Sequence, residues 1–182
     1  MKKAIGLAIL VFAGCDYAVP LAENPDRPID PALAGLWSHT DGKGETTRLL
    51  VLPLSKQEYL IVYPANHPEP LYFRACHCAA GDLSLIQLTW LGAGNGGTPE
   101  KTDRLYAYAT YEARPDRLAW RMVNPEVIKP ESVNTPQALR AALLANRQHP
   151  DLLKETSPSL SRVTPPAHQR APLRRPPMPP GW

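Results

Sequence analysis

Leu105-Tyr106-Ala107-Tyr108-Ala109-Thr110-Tyr111 is the stretch whose reading decides the fold class. Leu105, Ala107, Ala109 and Tyr111 fall on one parity, and Tyr106, Tyr108 and Thr110 on the other, so an extended chain presents two faces here and neither is charged. Tyr and Thr favour a pleated, half-buried surface. A strand without a charged face expects cover on both sides.

Working outward, the same kind of apolar burst recurs, rich in Leu, Val, Ile, Tyr and Trp and separated by turn residues. Strands are expected near 35–40, 46–53, 58–63, 71–78, 83–91, 104–112 and 117–123. Asp41-Gly42-Lys43-Gly44 supplies positions for positive φ, Ser55-Lys56 and Gly81-Asp82 are short returns, and Arg114-Pro115-Asp116 suits a type I turn. These are hairpin spacings. The chain therefore reads as mainly β, either an open antiparallel meander or the same meander closed into a small barrel.

After Val127-Ile128 the period changes. Thr135 is placed to cap a helix with Pro136 at its first position, and Leu139, Ala142, Leu143 and Asn146 follow helical spacing, so one C-terminal helix is expected near 136–148. His149-Pro150 ends it.

The 182 residues suit one domain with appendages. Residues 15–32 read as a tether holding Pro20, Pro25, Pro28 and Pro31, residues 33–155 as the β-rich domain, and residues 156–182 as a disordered tail. Proline totals 22, and eight prolines fall in the last 26 residues, where the chain need not pack. Residues 16–156 carry 14 Lys and Arg against 17 Asp and Glu, so no nucleic-acid partner is expected. The tail alone is basic: Arg162, Arg170, Arg174 and Arg175 among prolines could engage an anionic surface or a proline-binding partner.

At the other end, Lys2 and Lys3 precede eleven uncharged residues, Ala4 to Gly14. A helix crossing a bilayer needs about 20 such residues, so residues 1–14 read as a signal peptide. Val11-Phe12-Ala13-Gly14-Cys15 resembles the bacterial lipobox, with Phe12 where the pattern usually has Leu. That resemblance implies cleavage before Cys15, a diacylglycerol on its thiol and a lipoprotein held on a membrane of the cell envelope, facing the periplasm or the exterior. Asp16 is similar to the enterobacterial signal for retention at the inner membrane. Apart from the covalent lipid on Cys15, no cofactor is implied.

Candidate chemistry elsewhere is sparse. Gly92-Ala93-Gly94-Asn95-Gly96-Gly97 has the spacing of a dinucleotide fingerprint, but Pro99 and a strand follow where a helix would be needed, so it reads as a hairpin loop. Cys76-His77-Cys78, with His67 upstream, is the one cluster of soft ligands. Strand geometry sends both cysteines to one face and His77 to the other, which opposes a shared metal, and a Cys76–Cys78 bridge would be strained. Buried thiols, a bridge at a bulge, and metal or redox work remain as readings. No G-x-S-x-G, H-E-x-x-H or S-x-x-K motif occurs, and no catalytic residue is assigned.

Gly35-Leu36-Trp37 is similar to the G-x-W of lipocalins and related small barrels, Thr102-Asp103-Arg104-Leu105-Tyr106 to their T-D-x-x-Y, and Arg121 follows Trp120 on the last expected strand. The resemblance spans roughly residues 33–153. It implies that Arg121 lies against Trp37 and closes the barrel base. The functional expectation is a non-enzymatic, lipid-anchored module that binds a small apolar ligand or a partner protein. The alternatives are a thiol or metal protein using Cys76, His77 and Cys78, and a structural tether working through the basic tail.

Overall fold

The computed structural model describes residues 15–100, 104–154 and 158–164. The signal-peptide reading of residues 1–14, the Thr102-Asp103 part of the T-D-x-x-Y motif and the tail beyond Thr164 lie outside them. Among the described residues, eight strands follow one another: β1 (Gly35–Thr40), β2 (Thr46–Pro53), β3 (Glu58–Tyr63), β4 (Leu71–Ala80), β5 (Leu83–Ala93), β6 (Tyr106–Ala113), β7 (Arg117–Met122) and β8 (Leu160–Arg162). Each pairs antiparallel with the next, and β8 pairs with both β7 and β1. The meander is a closed barrel, and closure removes every free strand edge.

Strand alternation sorts the side chains. Trp37, Leu49, Val51, Tyr59, Ile61, Phe73, Leu88, Ala109, Leu118 and Leu160 point inward and are buried together. Tyr108, Cys78, Ala80 and Leu85 point outward, yet they too are buried, under the helix α1 (Pro136–Ala145) and the chain that precedes β1. β6 thus has cover on both faces, as its uncharged alternation requires. α1 begins as expected, with Pro136 at its first turn and the Thr135 hydroxyl accepting from the Ala138 amide at 3.1 Å. It docks through Leu139 and Leu143, both fully buried.

The barrel has two unlike ends. One, here the Trp37 end, carries the β2–β3, β4–β5 and β6–β7 turns; the other, the Trp90 end, carries the β1–β2, β3–β4 and β5–β6 connections. At the Trp90 end, β5 has one residue more than β4: Tyr72 pairs with Gly92 and Phe73 with Trp90, which leaves Leu91 as a bulge.

Three expectations are corrected. Residues 15–32 are not a free tether: Tyr17 and Leu21 are buried, and the segment straps the barrel from one end to the other. Apolar residues spaced among the prolines hold it down. The tail reading of 156–182 fails over the segment that contains β8, because three residues between prolines complete two ladders that only a closed barrel offers. The third concerns Arg121, whose Nε and Nη2 donate to the Lys154 and Leu153 carbonyls at 3.0 and 2.9 Å. The arginine over Trp37 is Arg162, its guanidinium carbon 4.1 Å from the ring centroid. β8 lies beside β1, with Trp37 and Arg162 directly opposed, whereas β7 is one strand further away.

Arg162 donates to the Ala34 carbonyl at 2.7 Å, and to those of Ala32 and Pro115 at 2.6 Å each. It thereby joins the strap, β8 and the β6–β7 turn. Gly35 makes room for it: with φ at +143°, a Cβ there would stand 2.5 Å from the guanidinium nitrogen.

Replacing Arg162 with Met is expected to lower stability by about 2–4 kcal/mol, since it leaves the partly buried Ala34 carbonyl unmatched, loses two further carbonyl bonds and strips the Trp37 face. The Arg121→Met change should cost only about 1 kcal/mol. Urea denaturation of the two variants checks the order; equal losses would deny Arg162 its closing role.

Candidate functional site

A lipocalin-like lumen is the first place to look for a ligand, and it is filled. The inner cavity, lined by Leu49, Ile61, Leu88, Tyr111, Leu118 and Trp120 among others, measures about 30 Å³. Small-molecule sites run from about 300 Å³ upward, so this one has the size of a single water. The cavity is small because an eight-stranded barrel is narrow enough for its own side chains to fill.

The larger openings lie outside, at the Trp37 end and on either side of the strap. One, of about 560 Å³, is lined by Arg27, Asp30, His77, Ser84 and Tyr111 among others. The second, of about 440 Å³, lies between the strap, Cys78 and the first turn of α1, with Arg140 and Gln137 on its wall. Both share Arg27 and Cys78.

The strap is held by polar groups that the strands aim at it. Gln87, buried on the outer face of β5, accepts from the amides of Leu21 and Ala22 at 2.7 and 3.0 Å and donates to the Ala22 carbonyl at 3.0 Å. Tyr108 donates to the Val19 carbonyl, and Arg140 to those of Ala79 and Leu21. Tyr17 forms a bridge with Tyr106 and donates from its hydroxyl to the Ile128 carbonyl at 2.9 Å. A polar residue as deeply buried as Gln87 is tolerated because its amide is matched on both atoms.

At the larger opening these constraints assemble a chain of side chains from four parts of the sequence. His77 on β4 stacks on Tyr111 of β6, centroids 5.7 Å apart and planes 15° apart, and meets the Tyr59 ring edge-on. Its Nε2 lies 3.0 Å from the Tyr111 hydroxyl, which in turn lies 3.1 Å from Asp30 Oδ2. Its Nδ1 faces the Pro28 carbonyl at 2.9 Å. The Tyr59 hydroxyl donates to the Asp30 carbonyl at 3.1 Å and accepts from the Asp30 amide.

Counting protons defines what this chain can do. A carbonyl only accepts, so Nδ1 carries a hydrogen toward Pro28. Tyr111 has one hydroxyl proton for two neighbours. The hydroxyl donates to Asp30 Oδ2 and lies within hydrogen-bond distance of His77 Nε2. Burial, followed by the Asp30 charge, pushes the Tyr111 hydroxyl well above the usual phenol range, and burial pushes Tyr59 up to about 12, so both remain protonated donors at neutral pH.

The sequence-stated site residues fall as follows. His77 points into this cluster, while Cys76 and Cys78 point to the opposite face of β4, as alternation requires; the three converge on no common point. Both cysteines are buried and free. Burial, with the Glu58 charge behind it, pushes the Cys76 thiol up to about 11, and burial with its neighbour thiol pushes Cys78 up to about 12. Groups held in the thiol form are poor nucleophiles and poor metal ligands. Cys15 lies at the Trp90 end, partly buried against the inner core. Asp30, Tyr59 and Tyr111 were missed as site residues, since only Tyr111's inward parity was visible along the chain. No family model matches this chain, and no curated protein or solved structure is significantly similar to it. What the fold defines is the class: a closed eight-stranded antiparallel barrel with a filled lumen and a polar mouth.

The thiols supply a test. An acid whose folded pKa is raised holds its stabilising contribution below the unfolded value, near 9, and loses it as pH climbs toward the folded one. Stability should therefore be flat up to about pH 9 and decline above it. At pH 8 neither Cys76 nor Cys78 should react with a thiol reagent until urea unfolds the chain. Fast labelling of the folded protein would reopen the redox reading.

Proposed function

We propose that this protein is a lipid-anchored component of the bacterial cell envelope, held through Cys15, and that it works as a non-enzymatic binding module for a partner protein. The lipobox-like segment ahead of Cys15 supports the anchor. Among the described residues no helix is long and apolar enough to cross a membrane, so attachment of this kind falls to the acyl chains, at about 0.8 kcal/mol per buried CH₂.

The observation that carries the binding reading is where space is found. The inner cavity is only about 30 Å³, whereas the mouth at the Trp37 end offers two larger openings with charges of both signs, one of them walled by His77 and Tyr111. Arg27, Asp30 and His77 suit a polar peptide loop better than an apolar molecule. The buried, protonated thiols weigh against redox or metal work at Cys76 and Cys78. For the basic-tail reading, Arg162 is committed to the barrel, and the other tail arginines lie outside the described residues.

Two measurements test this. Cys15→Ser in the full chain should move the protein from the membrane fraction to the soluble envelope fraction. A photo-crosslinking residue at Ser84 or Arg27 should then trap a defined protein in the anchored form, with the yield falling several-fold in Tyr111→Phe, which breaks the His77–Asp30 link. Saturable uptake of an apolar fluorophore, competed by fatty acid, would instead point back to the lumen and overturn the assignment.

A further inference from the structure

If Cys15 is acylated, the length of chain between it and the folded body decides how the barrel stands on its membrane. That length is almost nothing. Tyr17, two positions on, is buried at 1% exposure, paired with Tyr106 and bonded to the Ile128 carbonyl. Two residues reach at most about 7 Å even fully extended. Cys15 itself rests partly buried against the inner core, to which Trp90 also packs.

Leu91, put out of the ladder by the bulge next to Trp90, is 43% exposed. Arg104 and Lys154, both exposed, lie close enough for their charges to act on the Asp16 carboxyl beside the anchor. An apolar side chain and two cations thus lie at the same end of the barrel as the attachment residue, with the Asp16 carboxyl between them, a mixture that a lipid interface accepts.

We propose that the barrel sits directly on the bilayer by its Trp90 end, with Cys15, Leu91, Arg104 and Lys154 against anionic headgroups, and without an intervening tether. This rests on the anchoring of Cys15 proposed above and adds an orientation to it. The strap leaves the membrane at Tyr17 and reaches the mouth at Asp30. The cleft around His77 and Tyr111 therefore faces away from the lipid, roughly 20–30 Å out for strands of this length at about 3.3 Å per residue. A short tie fixes the direction in which the binding surface looks.

The full chain, reconstituted in vesicles of phosphatidylglycerol and phosphatidylethanolamine, allows a direct test. A polarity-sensitive fluorophore is attached to a single introduced cysteine: Leu91→Cys at the near end, or Leu54→Cys or Ser84→Cys at the far end. All three positions are exposed, and the native Cys76 and Cys78 are buried. Nitroxide lipids labelled at the headgroup should quench the probe at 91 and leave those at 54 and 84 unchanged. A flexible ten-residue insert after Asp16 should abolish the quenching at 91 while the protein stays on the vesicles. Mass spectrometry of the same material reports the acyl chain. Equal quenching at both ends, or none at 91, with the acyl chain present would overturn the seating and leave the anchor standing. An unmodified Cys15 would overturn both.

Discussion

The guanidinium of Arg162 meets three carbonyls that are far apart along the chain, those of Ala32 and Ala34 before β1 and that of Pro115 in the β6–β7 turn, while its flat face covers Trp37. Arginine suits this place because its planar fork donates in several directions at once and stacks on an aromatic ring. The contact lies where the first strand, the last strand and the strap come together. Without β8, β1 and β7 would face each other across an unpaired gap of one strand, with their backbone groups exposed. Gly35 belongs to the same arrangement, since any side chain there would occupy the position of the guanidinium.

Closing the barrel at this small size has a chemical consequence. Eight short strands enclose a width that Trp37, Tyr59, Phe73, Leu88 and Leu118 fill, and what remains is too small for a ligand. The larger openings lie at the rim. There the strap passes over β4 and β5 and brings Asp30 and the Pro28 carbonyl to the inward-facing pair of His77 and Tyr111. The same strap starts at Cys15 on the opposite rim, so one segment runs from end to end of the barrel and helps to build its mouth.

Cys76, His77 and Cys78 show how little proximity in sequence means on a strand. One step along β4 turns His77 into the barrel mouth and leaves both thiols buried on the other face, Cys78 under the strap and α1, where burial keeps them protonated. Their separation was legible from period two alone. The partners of His77 were not, because Asp30, Tyr59 and Tyr111 reach it only through the register of three strands and the path of the strap. A chain of contacts among residues so far apart leaves no local periodicity to read.

The first seven strands, their turns and the capped helix stood in the sequence, because alternation, glycine-bearing turns and the Thr135-Pro136 cap act over a few residues at a time. So did the uncharged double face of β6, which requires cover on both sides. The tertiary structure alone decided three things: that the strap lies on the barrel, that Leu160-Ser161-Arg162 is a strand, and that Arg162 rather than Arg121 meets Trp37. A three-residue strand between prolines has no stability of its own and gains it from neighbours on both flanks. Its existence is therefore a property of the closed barrel, absent from the segment that forms it.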